Sequence, residues 1–124
     1  MPDGEVKATI LNVEDEILVR MCGTDILQDA GFVVLEAGNA DEALALLVIH
    51  HEVRLLFSDL DMPGSMDGLE LARIVHERWP DIGLLLTSGQ HQPSQAAIPD
   101  AGRFLSKPWT HDELIRNVRH LLAA

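Results

Sequence analysis

The sequence predicts one α/β domain, a parallel sheet with helices on both faces. Three observations carry that expectation. The chain has 124 residues, enough for one hydrophobic core and too few for two. Hydrophobic residues make up 47% and charged residues 23%, the balance of a globular fold rather than of a disordered chain. Short apolar runs of β character alternate with segments of helical period along the whole length, with no internal repeat, long linker or low-complexity tract.

The first run, Ala8 to Val13, reads as a strand. Behind it Leu18, Met21, Cys22, Ile26 and Ala30 fall on one helical stripe that stops at Gly31, a residue suited to a left-handed helix end. Membership of that stripe makes Cys22 a buried packing thiol. Phe32 to Glu36 reads as the second strand. Asn39 and Glu42 have capping-box spacing ahead of Ala43, Leu44, Leu47 and Val48, a second amphipathic helix. His50 and His51 at its end are adjacent and point to different helix faces, which argues against joint metal ligation. Val53 to Ser58 is apolar except for Arg54, the texture of a sheet centre covered on both faces, and it ends in Asp59. After a turn containing Pro63, Gly64 and Gly68, a third helix turns Leu71, Ile74, Val75 and Trp79 inward and closes at Pro80. Ile82 to Leu86 makes a fourth strand ending at Thr87, and Arg103 to Ser106 a short fifth ending at Lys107. The segment between them, Gly89 to Gly102, has the weakest helical signal in the chain. Thr110 and Glu113 repeat the capping-box spacing before a last helix with Leu114, Ile115, Val118, Leu121 and Leu122 inside.

Charge and cysteine content remove several classes of function. Nine basic residues against 20 acidic ones give a net charge of -11, which repels phosphate backbones and anionic membranes, so nucleic-acid and membrane binding by this chain are not expected. Cys22 is the single cysteine, which excludes an internal disulfide and a cysteine-held metal cluster. Met1 to Lys7 is polar and acidic, unlike a signal peptide, and no apolar run approaches a membrane span. The expected location is cytoplasmic.

Placed on this scaffold, Glu14 and Asp15 follow strand one, Asp59 ends strand three, Thr87 strand four and Lys107 strand five. All five belong to the carboxyl edge of one parallel sheet, where open α/β folds bind ligands. Several carboxylates in one cleft repel one another unless a cation lies between them. Oxygen ligands without histidine or thiolate select a hard ion, and few carboxylates with room for water and phosphate oxygens favour magnesium over calcium. A carboxylate is also a nucleophile towards phosphorus when charge on the transferred group is neutralised. Lys107 offers a mobile point charge for that purpose, and the Thr87 hydroxyl a donor. The parts suit phosphoryl transfer onto an aspartate.

Across essentially its full length the chain resembles the receiver domain of two-component response regulators. The residues that carry the resemblance are Glu14 and Asp15, the run Asp59-Leu60-Asp61-Met62-Pro63 with Met66-Asp67-Gly68 behind it, Thr87, and Lys107-Pro108. Separately each is weak; in this order and spacing they are specific. The resemblance implies one receiver domain over residues 1–124, with a flavodoxin-like, doubly wound five-stranded sheet of order 2-1-3-4-5. It implies Asp59 as phosphoacceptor and Asp15 as direct magnesium ligand. Glu14 would act through an intervening water, and the Asp61 backbone carbonyl would complete the protein's ligands. Thr87 resembles the switching hydroxyl and Phe104 the aromatic that moves with it. The implied partner is a histidine kinase or histidine phosphotransfer protein, and the implied catalysis is confined to the domain's own phosphorylation and dephosphorylation.

The sequence departs from the family pattern in three places. Gly64-Ser65 lengthens the loop behind Pro63 by one residue. Asp61 puts an acidic side chain beside the acceptor. The fourth helix of the family, between strands four and five, is expected to be short or irregular, which puts the family's usual dimer surface in question and leaves homodimerisation open. Two other readings use the same residues. A haloacid-dehalogenase-like phosphatase or phosphotransferase would employ Asp59 and Asp61, although that family's nucleophile follows its first strand. A receiver-shaped interaction module that is never phosphorylated would lack one of the key residues, and none is lacking. The chain leaves no room for an output domain, so it is expected to be a stand-alone receiver or a piece of a larger regulator or hybrid kinase. His76, His91, His111 and His120 share no spacing and are assigned no chemistry.

Overall fold

A computed structural model describes residues 7–64, 66–90, 93–99 and 102–123; Ser65 and His91 lie outside them. The elements are β1 (Thr9–Val13), α1 (Ile17–Asp29), β2 (Val33–Ala37), α2 (Ala40–Ile49), β3 (Val53–Asp59), α3 (Gly68–Arg78), β4 (Gly83–Ser88), a 3-10 turn (Gln95–Ala97), β5 (Gly102–Ser106) and α4 (His111–Ala123). All strand pairs are parallel in the order β2-β1-β3-β4-β5. The order reverses at β1, so the chain leaves β1 and β3 towards opposite faces and opens a crevice at their carboxyl ends. This is the flavodoxin-like sheet that the resemblance implies.

The two faces are separate cores. Leu11, Val13, Leu56, Leu84 and Leu86 meet α2 and α3, whereas Ile10, Leu55, Phe57, Leu85 and Leu105 meet α1 and α4. This is the period-two alternation of strands covered on both sides. Arg54 interrupts the β3 run without being buried. The register against β1 shifts between Thr9 and Ile10, leaving Arg54 exposed, and its guanidinium donates to the Leu122 carbonyl at 3.4 Å.

Helix ends follow the sequence signals. Asn39 Oδ1 accepts from Glu42 N at 2.9 Å, and Thr110 with Glu113 forms a reciprocal capping box at 3.1 and 2.9 Å. Gly31 has φ +98°, and the Gly31 and Phe32 amides return to Gln28 and Leu27, a glycine-dependent α1 terminus. As expected, the described residues of the β4–β5 connection form no regular helix. They hold only the 3-10 turn, with Ile98 buried in the α2/α3 core.

Helix α1 corrects part of the stripe read from the sequence: Ile26 and Ala30 pack against the α1/α4 core as expected, but Leu18, Met21 and Cys22 do not. Its buried residues are Gly23, Thr24 and Leu27; Leu18 is 81% and Met21 51% exposed, and Cys22 is exposed rather than a packing thiol. The cause is a buried polar residue on β1. Asn12 Nδ2 donates to the Arg20 carbonyl at 3.0 Å and to Thr24 Oγ1 at 3.1 Å, which turns the Gly23–Thr24 side inward. A Cβ on Gly23 would lie 3.2 Å from Asn12 Nδ2 and 3.5 Å from Phe57, so the small residue allows this approach. In α3 a smaller adjustment occurs: Ala72 is buried and Ile74 only half-buried.

Candidate functional site

The sheet ladder extends beyond the strands and fixes the backbone of the site. Glu14 N donates to Ala37 O at 3.0 Å, Leu60 N to Thr87 O at 2.8 Å and Lys107 N to Ser88 O at 3.0 Å. Helix α3 is tied to the end of β3 as well. Gly68 N donates to Leu60 O at 3.2 Å, and a Cβ on Gly68 would fall 2.1 Å from Asp59 O, a contact that only glycine permits. Asp67 caps this helix through Glu70 N at 2.9 Å, so Met66-Asp67-Gly68 docks α3 directly behind Asp59.

Lys107 crosses the crevice. Its Nζ lies 2.8 Å from Glu14 Oε1 and 3.0 Å from Asp59 Oδ2, and both carboxylate side chains are only 4% exposed. Burial pushes the Glu14 carboxyl above the ordinary glutamate value, against the opposing Lys107 hydrogen bond. Burial by itself would lower the Lys107 pKa, but the Glu14 and Asp59 hydrogen bonds and charges outweigh it and hold the ammonium above its ordinary value. One oxygen each from Glu14, Asp15 and Asp59 lies within 4.8 Å of the others, with Asp15 the least buried. Three carboxylates at that spacing, open to solvent on one side, fit a hard divalent cation.

Hydrogen bonds orient these groups from behind. Asp59 Oδ1 accepts from Asp61 N at 3.0 Å, and Glu14 Oε2 from Glu16 N at 3.1 Å. Arg20 Nη1 donates to the Glu14 carbonyl at 2.8 Å while its Nε reaches Glu36 at 3.1 Å. The Asp61 carboxylate accepts a hydrogen bond from Ser88 Oγ, which in turn accepts from Gln90 N at 3.1 Å. Sequence reasoning missed Ser88, Arg20 and Asn12. Ser88 follows Thr87 directly, so a second hydroxyl at that strand end was the available signal.

Thr87 and Phe104 occupy different faces. Thr87 is buried and lines a small cavity with Asp59, Glu14, Phe57 and Trp109. Phe104 pairs in register with Leu86 and packs against the α2/α3 core. Trp109 sits edge-on to Phe57, ring centroids 5.7 Å apart at 64°.

Comparison with known proteins agrees with this geometry. The family model described as the response regulator receiver domain matches residues 10–119. The chain belongs to that family. It is 37% identical over 122 residues to the hydrogenase transcriptional regulatory protein HoxA of Cupriavidus necator, covering 95% of this chain and 25% of that protein. It is 38% identical over 119 residues to the sensor kinase CckA of Brucella abortus, covering 93% of this chain and 12% of that one. The chain thus spans a quarter or less of these two relatives. Among solved structures, a response regulator receiver protein from Sinorhizobium medicae superposes with a TM-score of 0.87 at 29% identity, covering 95% of this chain and 96% of that one. The chemotaxis protein CheY4 of Vibrio cholerae gives 0.83 at 27% identity, covering 94% and 99%. This receiver domain is therefore a two-component signalling module. Its acidic pocket is consistent with magnesium and aspartate phosphorylation, and the family assignment displaces the dehalogenase-like reading. Among the described residues no helix is long and apolar enough to cross a membrane.

Proposed function

We propose that Asp59 accepts a phosphoryl group from a histidine kinase or histidine phosphotransfer protein in a magnesium-dependent reaction. The observation that carries this reading is the Lys107 ammonium shared between Asp59 and Glu14, with Asp15 beside them. Glu14, Asp15, Asp59 and the Asp61 backbone carbonyl are the groups that would hold magnesium. When bound, magnesium supplies positive charge that offsets the charge gathering on the transferred group. An Asp59 carboxylate oxygen attacks phosphorus, the phosphorus–nitrogen bond of the donor breaks, and the donor imidazole leaves with the electron pair. Lys107 follows the charge to a phosphoryl oxygen, and the Thr87 hydroxyl donates to another. A separate step, attack of water on the phosphorus of the acyl phosphate with the Asp59 carboxylate as leaving group, returns Asp59 and free phosphate.

The switch is a population shift between two packings, and the modified state must favour one of them. Thr87 moves towards the phosphoryl group. Phe104 responds through the paired ends of β4 and β5, since its ring packs on the other face. For the donor, the exposed apolar side chains Ile17, Leu18 and Met21 begin two residues after Asp15 and form a docking surface beside the crevice. The output lies either in a separate partner or in a fused domain, as HoxA and CckA are themselves much longer than their matching segments. The net charge of -11 argues against direct nucleic-acid contact by this chain. The 3-10 turn in place of a regular helix argues against a homodimer built on that flank.

Intact-mass measurement after incubation with magnesium and a small phosphodonor tests the reading. The wild type gains about 80 Da, one phosphoryl group. Asp59→Asn gains nothing. An equal gain in Asp59→Asn, or none in the folded wild type, refutes the assignment.

A further inference from the structure

The cavity beside the acceptor holds two unused polar groups. Thr87 Oγ1 and Trp109 Nε1 are both buried without a hydrogen-bond partner among the described residues, and both side chains line this cavity with Asp59, Glu14, Phe57 and Val19. A hydroxyl can donate and accept, whereas an indole N–H only donates, so the two are complementary when one small polar molecule links them. The cavity has room for about one water. Carboxylate side chains on its wall provide the further partners that an internal water requires.

We infer that Trp109 is a positioning residue of the acceptor site: its indole N–H holds the Thr87 hydroxyl through a shared internal water while Asp59 is unmodified. The inference rests on Asp59 being the phosphoacceptor. When the phosphoryl group draws Thr87 towards it, the shared hydrogen bond is lost and the indole changes partner. The ring is placed to pass that change on. It packs edge-on to Phe57. A Cβ on Gly23 of α1 would meet it at 3.7 Å. It also immediately precedes Thr110, whose hydroxyl and amide form the α4 capping box. Trp109 therefore couples the site to α1 and α4, the face opposite to Phe104.

The chain has two tryptophans, and the second is an internal reference. Trp79 closes α3 on the α2/α3 core, just before the amino end of β4 and so at the opposite sheet edge from the site, under the Arg78 guanidinium at 4.7 Å. Indole proton–nitrogen spectra of the full chain, assigned with Trp79→Phe, are recorded alone, with magnesium, and with magnesium plus beryllium fluoride as a phosphoryl mimic. Trp109 is expected to show a cross-peak to water in the unmodified protein. Its signal shifts when beryllium fluoride is added, and Trp79 stays fixed. In Thr87→Val the water cross-peak is lost and beryllium fluoride adds no shift beyond that of magnesium. Absence of the water contact in wild type, or an equal beryllium fluoride shift in Thr87→Val, overturns the inference. The mass gain on Asp59 is measured on a parallel sample of the same preparation with magnesium and the phosphodonor but no beryllium fluoride. A mass gain with a silent Trp109 refutes this proposal alone, while no mass gain in folded protein refutes the phosphoacceptor reading and this proposal with it.

Discussion

The two faces of the sheet are built to different rules. On the α2/α3 face, Leu11, Val13, Leu56, Leu84 and Leu86 meet Leu47, Leu71 and Val75, and the rows of β3 and β4 end in small buried hydroxyls, Ser58 and Ser88, with no charged side chain in these rows. On the α1/α4 face the rows begin apolar, with Ile10, Leu55, Leu85 and Leu105. They then turn polar towards the site, at Asn12, Asp59, Thr87 and Lys107. One face supplies dispersion and burial. The other gives up part of that stabilisation to hold charges and hydroxyls, and α1 lies on it through Gly23 and Thr24 near the site and through Leu27, Ile26 and Ala30 further along.

The strongest test of that difference is a cavity on the aliphatic side. Leu56→Ala removes a fully buried side chain and is expected to cost about 2–5 kcal/mol in urea unfolding. Magnesium affinity and phosphorylation of the folded fraction should stay near wild type. Loss of phosphorylation in proportion to stability would show that the faces are not separable.

Asn12→Ala sits on the other side of the comparison. It leaves the Thr24 hydroxyl and the Arg20 carbonyl without their Asn12 partner, with an expected cost of about 1–3 kcal/mol. Because Arg20 also holds the Glu14 carbonyl, magnesium affinity should fall with stability here, read by titration of the folded protein. Unchanged affinity would reduce Asn12 to a packing residue.

The exposed stripe of α1 gives a smaller and more selective effect. Leu18→Arg should lower phosphoryl transfer from a protein donor by about tenfold, the loss of one interface anchor worth roughly 1.4 kcal/mol. Labelling by a small phosphodonor should be unchanged. A parallel loss with both donors would place the defect in the site rather than at the docking surface.

These contrasts also explain what the sequence made legible. The β3 run Val53 to Ser58 declares itself because a strand covered on both faces must be nearly continuous in apolar residues. Asp59 stands out because it terminates that run. Asn39, Thr110 and Gly31 announce helix ends through local chemistry that needs no tertiary partner. The α1 face was not legible in this way. Leu18, Met21 and Cys22 form as good a periodic stripe as Thr24 and Leu27, and the choice is made by Asn12, a residue on a different element. Ser88 and the polar end of Trp109 escaped for the same reason, since their roles depend on which strand ends and loops meet in space.

Cys22 provides the finest test of the α1 placement. A thiol on the inner stripe would be protected from reagents until the chain unfolds, and its replacement by serine would bury a hydroxyl. In the structure it is exposed on the side of Leu18 and Met21. Cys22→Ser should therefore change stability by no more than about 0.5 kcal/mol. Reaction of the wild-type thiol with a small aromatic disulfide should proceed in native buffer without unfolding, at a rate independent of denaturant below the transition. Protection that disappears only as the protein unfolds would return Cys22 to the core, and would require α1 to be rotated so that Thr24 loses its bond to Asn12.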